Sequence, residues 1–261
     1  MLPGTAEVAE LYDGQFQTPT TCAARASPTA APGFFLARLK QINPEVETAH
    51  IDPVNFTTRV KERHTVDKTS ACLPAHDFVS ARVSTPVLHH SVRVGSLSQL
   101  IAEREQIDIP EEIIWAAALL HDVGTAAGQS SPQRFEVAGA NAATALLKAQ
   151  TELSGVQLQE VWDAIALHTS PHIAEARGGL TRVIRLGVLM DFGKDILPDA
   201  AEVRKELERA WPRADIERTL ANAVVQQALQ VPEKAPVASW PNNLYVAHLQ
   251  NPNHTGINPA F

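Results

Sequence analysis

The sequence predicts an all-α protein, on three observations. Apolar residues recur at helical spacing after Ser84, where one face of a helix would hold residues separated by 4, 3 and 4 positions: His90, Val94, Leu97 and Ile101. Helix-start signals precede them, because Thr85 is a good N-cap and Pro86 suits the first helical position. No segment shows the sustained alternation of polar and apolar residues that predicts a strand.

The first 83 residues show few helical signals. Residues 1–33 are rich in Thr, Ala, Pro and Gly, which predicts a flexible N-terminal tail. We interpret residues 34–83 as an N-terminal arm that includes a short amphipathic helix at 34–40. A polar stretch of this arm contains three residues that we expect on the surface or in loops, because no helical pattern buries them: His64, His76 and Asp77.

A core domain is predicted at residues 84–230, followed by a cover at 231–261. Gly124 ends the second helix in this interpretation, since glycine is common just past a helix C-terminus. The segment from 231 onward has five prolines, which predict an irregular C-terminal cover. The predicted helices of the core have these approximate ranges: 85–101, 108–120, 134–149, 154–168, 180–193, 198–210 and 213–229.

Composition restricts the classes of partner. The net charge of −7 and the pI near 5.8 argue against a nucleic acid or an anionic membrane, since both attract a basic surface. No apolar run reaches the roughly 18 residues of a membrane span, and the N-terminus lacks a basic segment followed by an apolar one. Two cysteines, Cys22 and Cys72, are too few for a disulfide framework, so we expect a cytoplasmic protein. With nucleic acids and membranes disfavoured, the expected partner is a small-molecule substrate.

Four residues that can bind metal end or interrupt apolar helical segments: His90, His121, Asp122 and Asp191. Burying imidazoles and carboxylates is unfavourable unless they are paired, and one divalent metal ion would pair all four. His121 and Asp122 diverge by about 100° on a helix, but both can reach an ion that lies over the helix end. Two neutral imidazoles and two carboxylates balance a charge of +2 and leave positions open for water. Such donors suit Zn, Fe, Mn or Co.

His168 falls on the inward side of its predicted helix, together with Val161 and Ile165. Two interpretations are open: a core histidine bonded to a backbone carbonyl, or a catalytic histidine that faces the substrate. His172 follows Pro171, which interrupts the helix, and we expect His172 to face solvent.

The order of these residues resembles the signature of the HD-domain superfamily, in which a histidine, a His-Asp pair and a final aspartate occur on helices. Four segments resemble its cyanamide hydratase branch more closely: TPVLHHSVRV at 85–94, LLHD at 119–122, RFEVAGA at 134–140 and RAWPR at 209–213. The tail NPNHT at 251–255 is a weaker version of the tail of that branch. The resemblance implies an HD-domain helical bundle over about 84–255.

The resemblance implies a metal bound by His90, His121, Asp122 and Asp191, with zinc favoured and iron or manganese as alternatives. It implies that His168 lies at the pocket, so His168 and Asp122 are the candidate catalytic residues. The branch hydrates cyanamide to urea, and the implied enzyme is therefore a metal-dependent hydro-lyase that acts on a small nitrile-like molecule. The sequence leaves open whether it forms a homo-oligomer.

Three other functions stay open. The first is phosphohydrolase activity on a nucleotide or phosphate monoester, for which the candidate phosphate-binding cations are Arg93, Arg182 and Arg185. Arg93 lies about 60° from His90 on a helical wheel, which favours a surface residue or one that supports a metal ligand. The second is a di-iron oxygenase, which needs more histidines than His168 and His172. The third is a non-catalytic scaffold, which would normally lack one of the ligands.

The sequence also leaves two roles undecided. Glu136 matches a glutamate of the branch, and a place near a helix N-terminus is favourable for its charge in any case. His254 is either a solvated residue of the C-terminal segment or part of a cover over the pocket.

Overall fold

The computed structural model of the protein describes residues 71–126 and 131–261. The expectations for the N-terminal tail, for most of the arm, for Cys22 and for His64 therefore lie outside the described residues. Within them the all-α prediction is confirmed, because they contain helices and turns and no strand.

The described residues form ten α-helices: α1 (Cys72–Ser80), α2 (Thr85–Glu105), α3 (Glu111–Leu120), α4 (Phe135–Gln150), α5 (Gly155–Leu167), α6 (Ile173–Arg177), α7 (Gly179–Asp191), α8 (Ala200–Ala210), α9 (Ile216–Gln230) and α10 (Trp240–Gln250). Short 3₁₀ turns at Val123–Thr125 and Pro232–Lys234 complete the list. None of the helices in the described part of the chain is long and apolar enough to cross a membrane.

The helix ends follow from local sequence. Ser84, rather than the predicted Thr85, is the N-cap of α2, and its extended backbone leads into a first turn that contains Pro86. The C-cap of α2 is Gln106, whose φ of 56° lies in the left-handed region. Helix α5 begins with a capping box, in which Ser154 and Gln157 each satisfy the backbone N–H of the other.

Helix α2 lies at the centre of the bundle and packs against α3 on one side and α7 on the other. Glycines allow these close approaches. A Cβ on Gly187 of α7 would lie 2.2 Å from Ser98 Oγ of α2, and a Cβ on Gly95 of α2 would lie 2.4 Å from the Trp115 ring of α3. Helices α2 and α7 can approach this closely because residue 187 carries no side chain. His90 of α2 and Asp191 of α7 lie across the same pair of helices.

Helix α1 corrects the prediction that His76 and Asp77 lie in an irregular stretch, because both belong to a helix. Its buried face consists of small or short residues, Cys72, Ala75 and Val79, and packs against α3. A face built from such residues gives a weak apolar signal in the sequence. The surface expectation does hold for Asp77, whose side chain is 72% exposed.

The C-terminal segment corrects the prediction of an irregular cover, because it contains helix α10. Ser239 caps this helix by accepting a hydrogen bond from the Asn242 N–H at 3.2 Å, and Pro241 lies in the first turn, where a missing N–H is harmless. Leu244 is fully buried against α9 and Phe135. The segment is therefore packed on the bundle as a cover, and part of it is regular.

Candidate metal centre

Four polar side chains meet in the interior at three helices. His90 lies on α2, His121 and Asp122 directly follow α3, and His168 directly follows α5. None of the four is more than 2% exposed. All four are residues that the sequence analysis selected, and they come from segments as much as 78 positions apart (168 − 90).

The turn after Asp122 holds the His-Asp pair at the end of α3. Thr125 Oγ1 donates to the Asp122 carbonyl at 2.7 Å, inside the 3₁₀ turn. A Cβ on Gly124 would lie 1.9 Å from the Phe135 carbonyl oxygen, so only glycine lets this turn pack against the start of α4. The sequence predicted a helix stop at Gly124, and the structure adds this close backbone approach as its physical reason.

Backbone carbonyls orient two of the imidazoles. His121 Nδ1 donates to the Ala118 carbonyl and His168 Nδ1 donates to the Ile165 carbonyl, each at 2.7 Å. A carbonyl can only accept, so the ring hydrogen lies on Nδ1 and the neutral ring presents a lone pair at Nε2. His168 is therefore bonded to a carbonyl, as the first interpretation expects, and its Nε2 faces Asp122 at 3.4 Å, while its catalytic role stays a prediction. This is the arrangement in which histidines bind metal ions.

The inward-facing donor atoms lie at the spacing of ligands around one ion. His121 Nε2 is 3.2 Å from His90 Nε2 and 3.1 Å from Asp122 Oδ2. Asp122 also lies 3.6 Å from His90 Nε2 through Oδ2 and 3.4 Å from His168 Nε2 through Oδ1. Neighbouring ligand atoms of a tetrahedral ion with bonds near 2.0 Å are about 3.3 Å apart. Suitable donor atoms of His90, His121 and Asp122 all lie within 4.8 Å of one another.

The carboxylate of Asp122 is the strongest indication of a cation. Both of its oxygens are buried and neither has a hydrogen-bond partner among the described residues, although imidazole nitrogens lie close by. Burial raises the pKa of Asp122, but His121 and then His168, when their rings carry a second proton, outweigh burial through their charge and hydrogen bonds and hold the pKa well below its ordinary value. With the rings neutral and their hydrogens on Nδ1, neither oxygen receives such a bond. An ionised carboxylate that is buried without hydrogen bonds is unfavourable, and a metal ion would satisfy it.

The imidazoles of His90 and His121 differ in the direction of their pKa shifts. Burial lowers the pKa of His90, which favours the neutral ring that metal binding needs. Burial also lowers the pKa of His121, but the charge of Asp122 more than offsets it, so the pKa of His121 is raised. A cation between these rings would replace the proton that Asp122 favours on His121.

Asp191 lies beside the centre, on the far side of His90. His90 Nδ1 donates to Asp191 Oδ2 at 2.7 Å, and Arg93 donates to Oδ1 through Nε at 2.7 Å and to Oδ2 through Nη2 at 2.8 Å. Burial raises the pKa of Asp191, but the hydrogen bonds from Arg93 and His90 lower it far more. Both oxygens are therefore engaged, and the role of Asp191 as a fourth ligand stays a prediction.

Arg93 supports Asp191, which is one of the two alternatives that the sequence leaves for it. Its side chain is fully buried, which excludes the surface alternative, and its Nη1 donates to the Trp211 carbonyl at 2.9 Å. The wheel angle of about 60° from His90 was a usable signal, because residues three apart share a helix face. Its partner Asp191 is 98 positions away and could not be identified from spacing.

The remaining predicted residues lie outside the centre. His172 is exposed, as expected, and His254 is exposed with its Nε2 donating to the Ile257 carbonyl at 2.9 Å. Glu136 is buried in the first turn of α4, where Arg134 Nε donates to it at 2.9 Å and Thr169 Oγ1 at 2.6 Å. Glu136 thus links the start of α4 to the residue after His168.

The three arginines considered for phosphate are each paired with a carboxylate. Arg93 binds Asp191, as described, while Arg182 donates to Glu105 at 2.7 and 2.8 Å. Arg185 donates to Glu175 at 3.2 Å and to the His168 carbonyl at 2.9 Å. A surface depression of about 450 Å³ near Pro198 contains none of the predicted site residues.

All the residues of the candidate metal centre lie within one segment that matches a known protein family. A family model described as "HD domain" matches residues 87–228 of the chain, which is 142 of 261 positions. The match spans every residue of the candidate metal centre, from His90 through Asp191. The search of curated proteins finds no match.

Proposed function

The chain belongs to the HD domain family, and from this premise we propose that it is a metal-dependent hydro-lyase that hydrates a small nitrile-like molecule such as cyanamide, giving urea. HD domains are generally metal-dependent enzymes, and the buried group of His90, His121 and Asp122 could hold a metal ion. The single observation that supports the proposal most is the buried Asp122 carboxylate, whose oxygens have no hydrogen-bond partner and face imidazole nitrogens.

His90, His121 and Asp122 are the ligands that we propose for one divalent ion. Imidazole and carboxylate donors suit Zn, Fe, Mn or Co, and the resemblance to the cyanamide hydratase branch is what favours zinc. When bound, such an ion lowers the pKa of a water molecule toward neutrality and polarises a bound nitrogen or oxygen atom. Asp191 would orient His90 through Nδ1, as second-layer carboxylates do in metal sites.

His168 is the residue that we propose for proton transfer. Its Nδ1 hydrogen is held by the Ile165 carbonyl, so Nε2 is the atom free to accept and return a proton on the side of Asp122. Hydration of a nitrile forms a carbon–oxygen bond from water and moves two protons to nitrogen, with no leaving group. One basic nitrogen close to the reacting water is therefore the group that this reaction needs.

Phosphate transfer is the alternative that the same metal site could support. It would need cations to hold the substrate phosphate. Arg93, Arg182 and Arg185 are paired with Asp191, Glu105 and Glu175. This pairing is why we place hydration before phosphohydrolysis.

The test is to incubate the purified, zinc-loaded protein with cyanamide and to measure urea. We expect urea well above the background of the His121→Ala variant, and unchanged urea in Asp77→Ala, which alters the exposed second His-Asp pair. Metal-loaded protein that forms no more urea than His121→Ala contradicts the proposal. Release of phosphate from a nucleotide panel by the same preparation would instead establish the alternative.

A further inference from the structure

The imidazoles of the metal centre belong to a closed circuit of ring contacts. One side consists of the three imidazoles, where His121 has ring centroids 5.0 Å from His90 and 5.0 Å from His168. The other side consists of four aromatic rings, which we call the aromatic arc: Phe192, Phe261, Trp240 and Phe135. The distances within the circuit all fall in the range of 4.5–7 Å that is typical of interacting rings.

The aromatic arc runs from the first imidazole to the last. Its ends are Phe192, 4.7 Å from the His90 ring, and Phe135, 5.7 Å from the His168 ring. Phe261 joins the two halves, with centroids 5.1 Å from Phe192 and 5.6 Å from Trp240. The remaining contact, between the rings of residues 240 and 135, is 6.1 Å.

Exposure differs between the two sides of the circuit. The imidazoles are almost fully buried and Phe135 is 1% exposed, whereas Phe192, Trp240 and Phe261 are only half-buried. Among the described residues, solvent therefore meets the circuit at these three rings. A molecule that reaches the metal centre from this side must pass along them.

The charges beside the arc are neutralised. The Arg213 guanidinium lies 5.6 Å from the Phe192 centroid and is paired with the carboxylates of Glu208 and Glu217. An approach lined by aromatic rings and by a paired guanidinium favours uncharged molecules, because a charged one would lose its hydration without gaining a partner.

The arc is completed by a segment that hydrogen bonds hold in place. Asn258 Nδ2 donates to the Leu244 carbonyl of α10 at 2.9 Å, and Asn258 accepts from the Ala260 N–H through Oδ1 at 3.0 Å. The Phe261 N–H donates to the Asn258 carbonyl at 3.0 Å. Asn258 thus fixes the position of the Phe261 ring without touching the metal centre.

We propose that the aromatic arc is the gate and the selective wall of the metal centre, with Phe261 as the ring that closes it, and that it admits small uncharged molecules of flat or linear shape. The substrate part of this inference rests on the proposed function. The gating part does not, since a metal ion that leaves the centre along the arc would pass the same rings whatever the reaction is.

Metal release tests the gate without using activity. Zinc-loaded Phe261→Ala and Asn258→Ala should lose zinc to excess EDTA about tenfold faster than the unaltered protein, because both open the arc. Phe78→Ala is the matched control, since Phe78 lies on α1 under Arg82 and outside the circuit, and it should release zinc at the unaltered rate. Phe261→Leu, which keeps an apolar side chain, should fall between the two.

Release rates that stay within twofold in both Phe261→Ala and Asn258→Ala would overturn the gate, even if both variants melt at lower temperature. Such a result would show that the four rings only pack the core.

Substrate size tests the selective wall. Phe261→Ala should raise kcat/KM for phenylcyanamide relative to cyanamide by about tenfold, because the lost ring makes room for the phenyl group. An unchanged ratio overturns the selective wall. If no variant hydrates either compound, the proposed function has failed, and faster zinc release in Phe261→Ala and Asn258→Ala would still support the gate.

Discussion

At the scale of single residues, Asp122 and Asp191 show how differently two buried carboxylates of one site are treated. Asp191 receives hydrogen bonds from Arg93 and His90, whereas Asp122 has close imidazole neighbours and no hydrogen bond to either oxygen. Folded proteins rarely leave a buried carboxylate in that condition without a ligand. Removing the charge of each aspartate is therefore expected to change zinc binding to a different extent.

The first prediction concerns these aspartates. Asp191→Asn should weaken zinc affinity by about 10–100-fold with one zinc per chain still bound at saturation, because it loses only the support of His90. Asp122→Asn should abolish stoichiometric binding. Isothermal titration with zinc measures both, and Asp199→Asn, at a surface pair with Arg104, serves as the control. Loss of all binding in Asp191→Asn would instead identify Asp191 as a direct ligand.

At the scale of elements, α2 and α7 pack closely where they cross, and the two helices carry residues that meet at the site. His90 and Arg93 lie on α2, and their partner Asp191 lies on α7. Gly187 lies where the α7 backbone approaches Ser98, and Ser98 Oγ also donates to the Val183 carbonyl of α7 at 3.1 Å. The helices cannot separate locally without breaking that bond. A side chain at 187 would therefore act on the position of Asp191, one helical turn further along α7.

The second prediction follows from this crossing. Gly187→Ala should lower the free energy of unfolding by about 1–3 kcal/mol, because the added methyl overlaps Ser98 and the packed backbone of α2. Gly155→Ala has open space around its Cβ and should leave stability unchanged or raised, since alanine favours a helix. Urea denaturation of both variants measures the difference. Equal stability of the two would show that the crossing is not closely packed.

The third prediction concerns pH and the ion pair between the end of α2 and the start of α7. The hydrogen bond from Arg182 lowers the pKa of Glu105 below its ordinary value of 4.5. The pair therefore stabilises the fold fully above pH 4.5, and this contribution is lost as the pH falls through the lower folded pKa. Glu105→Gln should reduce the acid-induced loss of stability by at most about 1 kcal/mol, since solvent screens the pair.

Urea denaturation between about pH 3 and pH 6 measures that loss. Arg182→Gln should reduce it equally, and the double variant should behave like either single variant. Acid sensitivity that is identical in the unaltered protein and in Glu105→Gln would contradict the role of the pair.

At the scale of the whole molecule, a metal ion would connect α2 with the residues that follow α3, and the site draws in α5 and α7 through His168 and Asp191. The fourth prediction is that zinc removal by EDTA lowers the free energy of unfolding, by about 2.7 kcal/mol if free zinc had been at 100 times its Kd. Thermal melting with and without EDTA measures this. Asp122→Asn should show no such shift, and a shift equal to that of the unaltered protein would place the stabilising metal elsewhere.

How much of this molecule the sequence predicts depends on whether a pattern is local. Short-range spacing predicts the helices that have strongly apolar faces. It also predicts that His121 and Asp122 lie at the end of a helix. Helix α1 was missed because its buried face uses Ala75 and Cys72, which give a weak apolar signal. Helix α10 was missed because Pro241 suggested irregular backbone, although a proline also suits the first turn of a helix.

The parts of the site that escaped prediction depend on contacts between distant positions. The pairing of Arg93 with Asp191 and the meeting of Phe261 with Phe192 join segments far apart in the chain. No local periodicity encodes which residue of one helix meets which residue of another. The ligand candidates were found because each ends or interrupts an apolar helical segment, and the resemblance to a known family implies that they share one site.

The buried guanidinium of Arg93 changes the charge balance of the metal centre. Two neutral imidazoles and two carboxylates would cancel a divalent ion, but Arg93 already cancels Asp191, so the loaded centre keeps an excess of one positive charge. In a poorly hydrated interior that excess positive charge favours the binding of a ligand with a single negative charge. The aromatic arc should slow the entry of anions, but a small linear monoanion such as azide or cyanate gains a partner once it reaches the ion. At equilibrium such an anion should therefore compete with the substrate and inhibit more strongly than the bulkier sulfate.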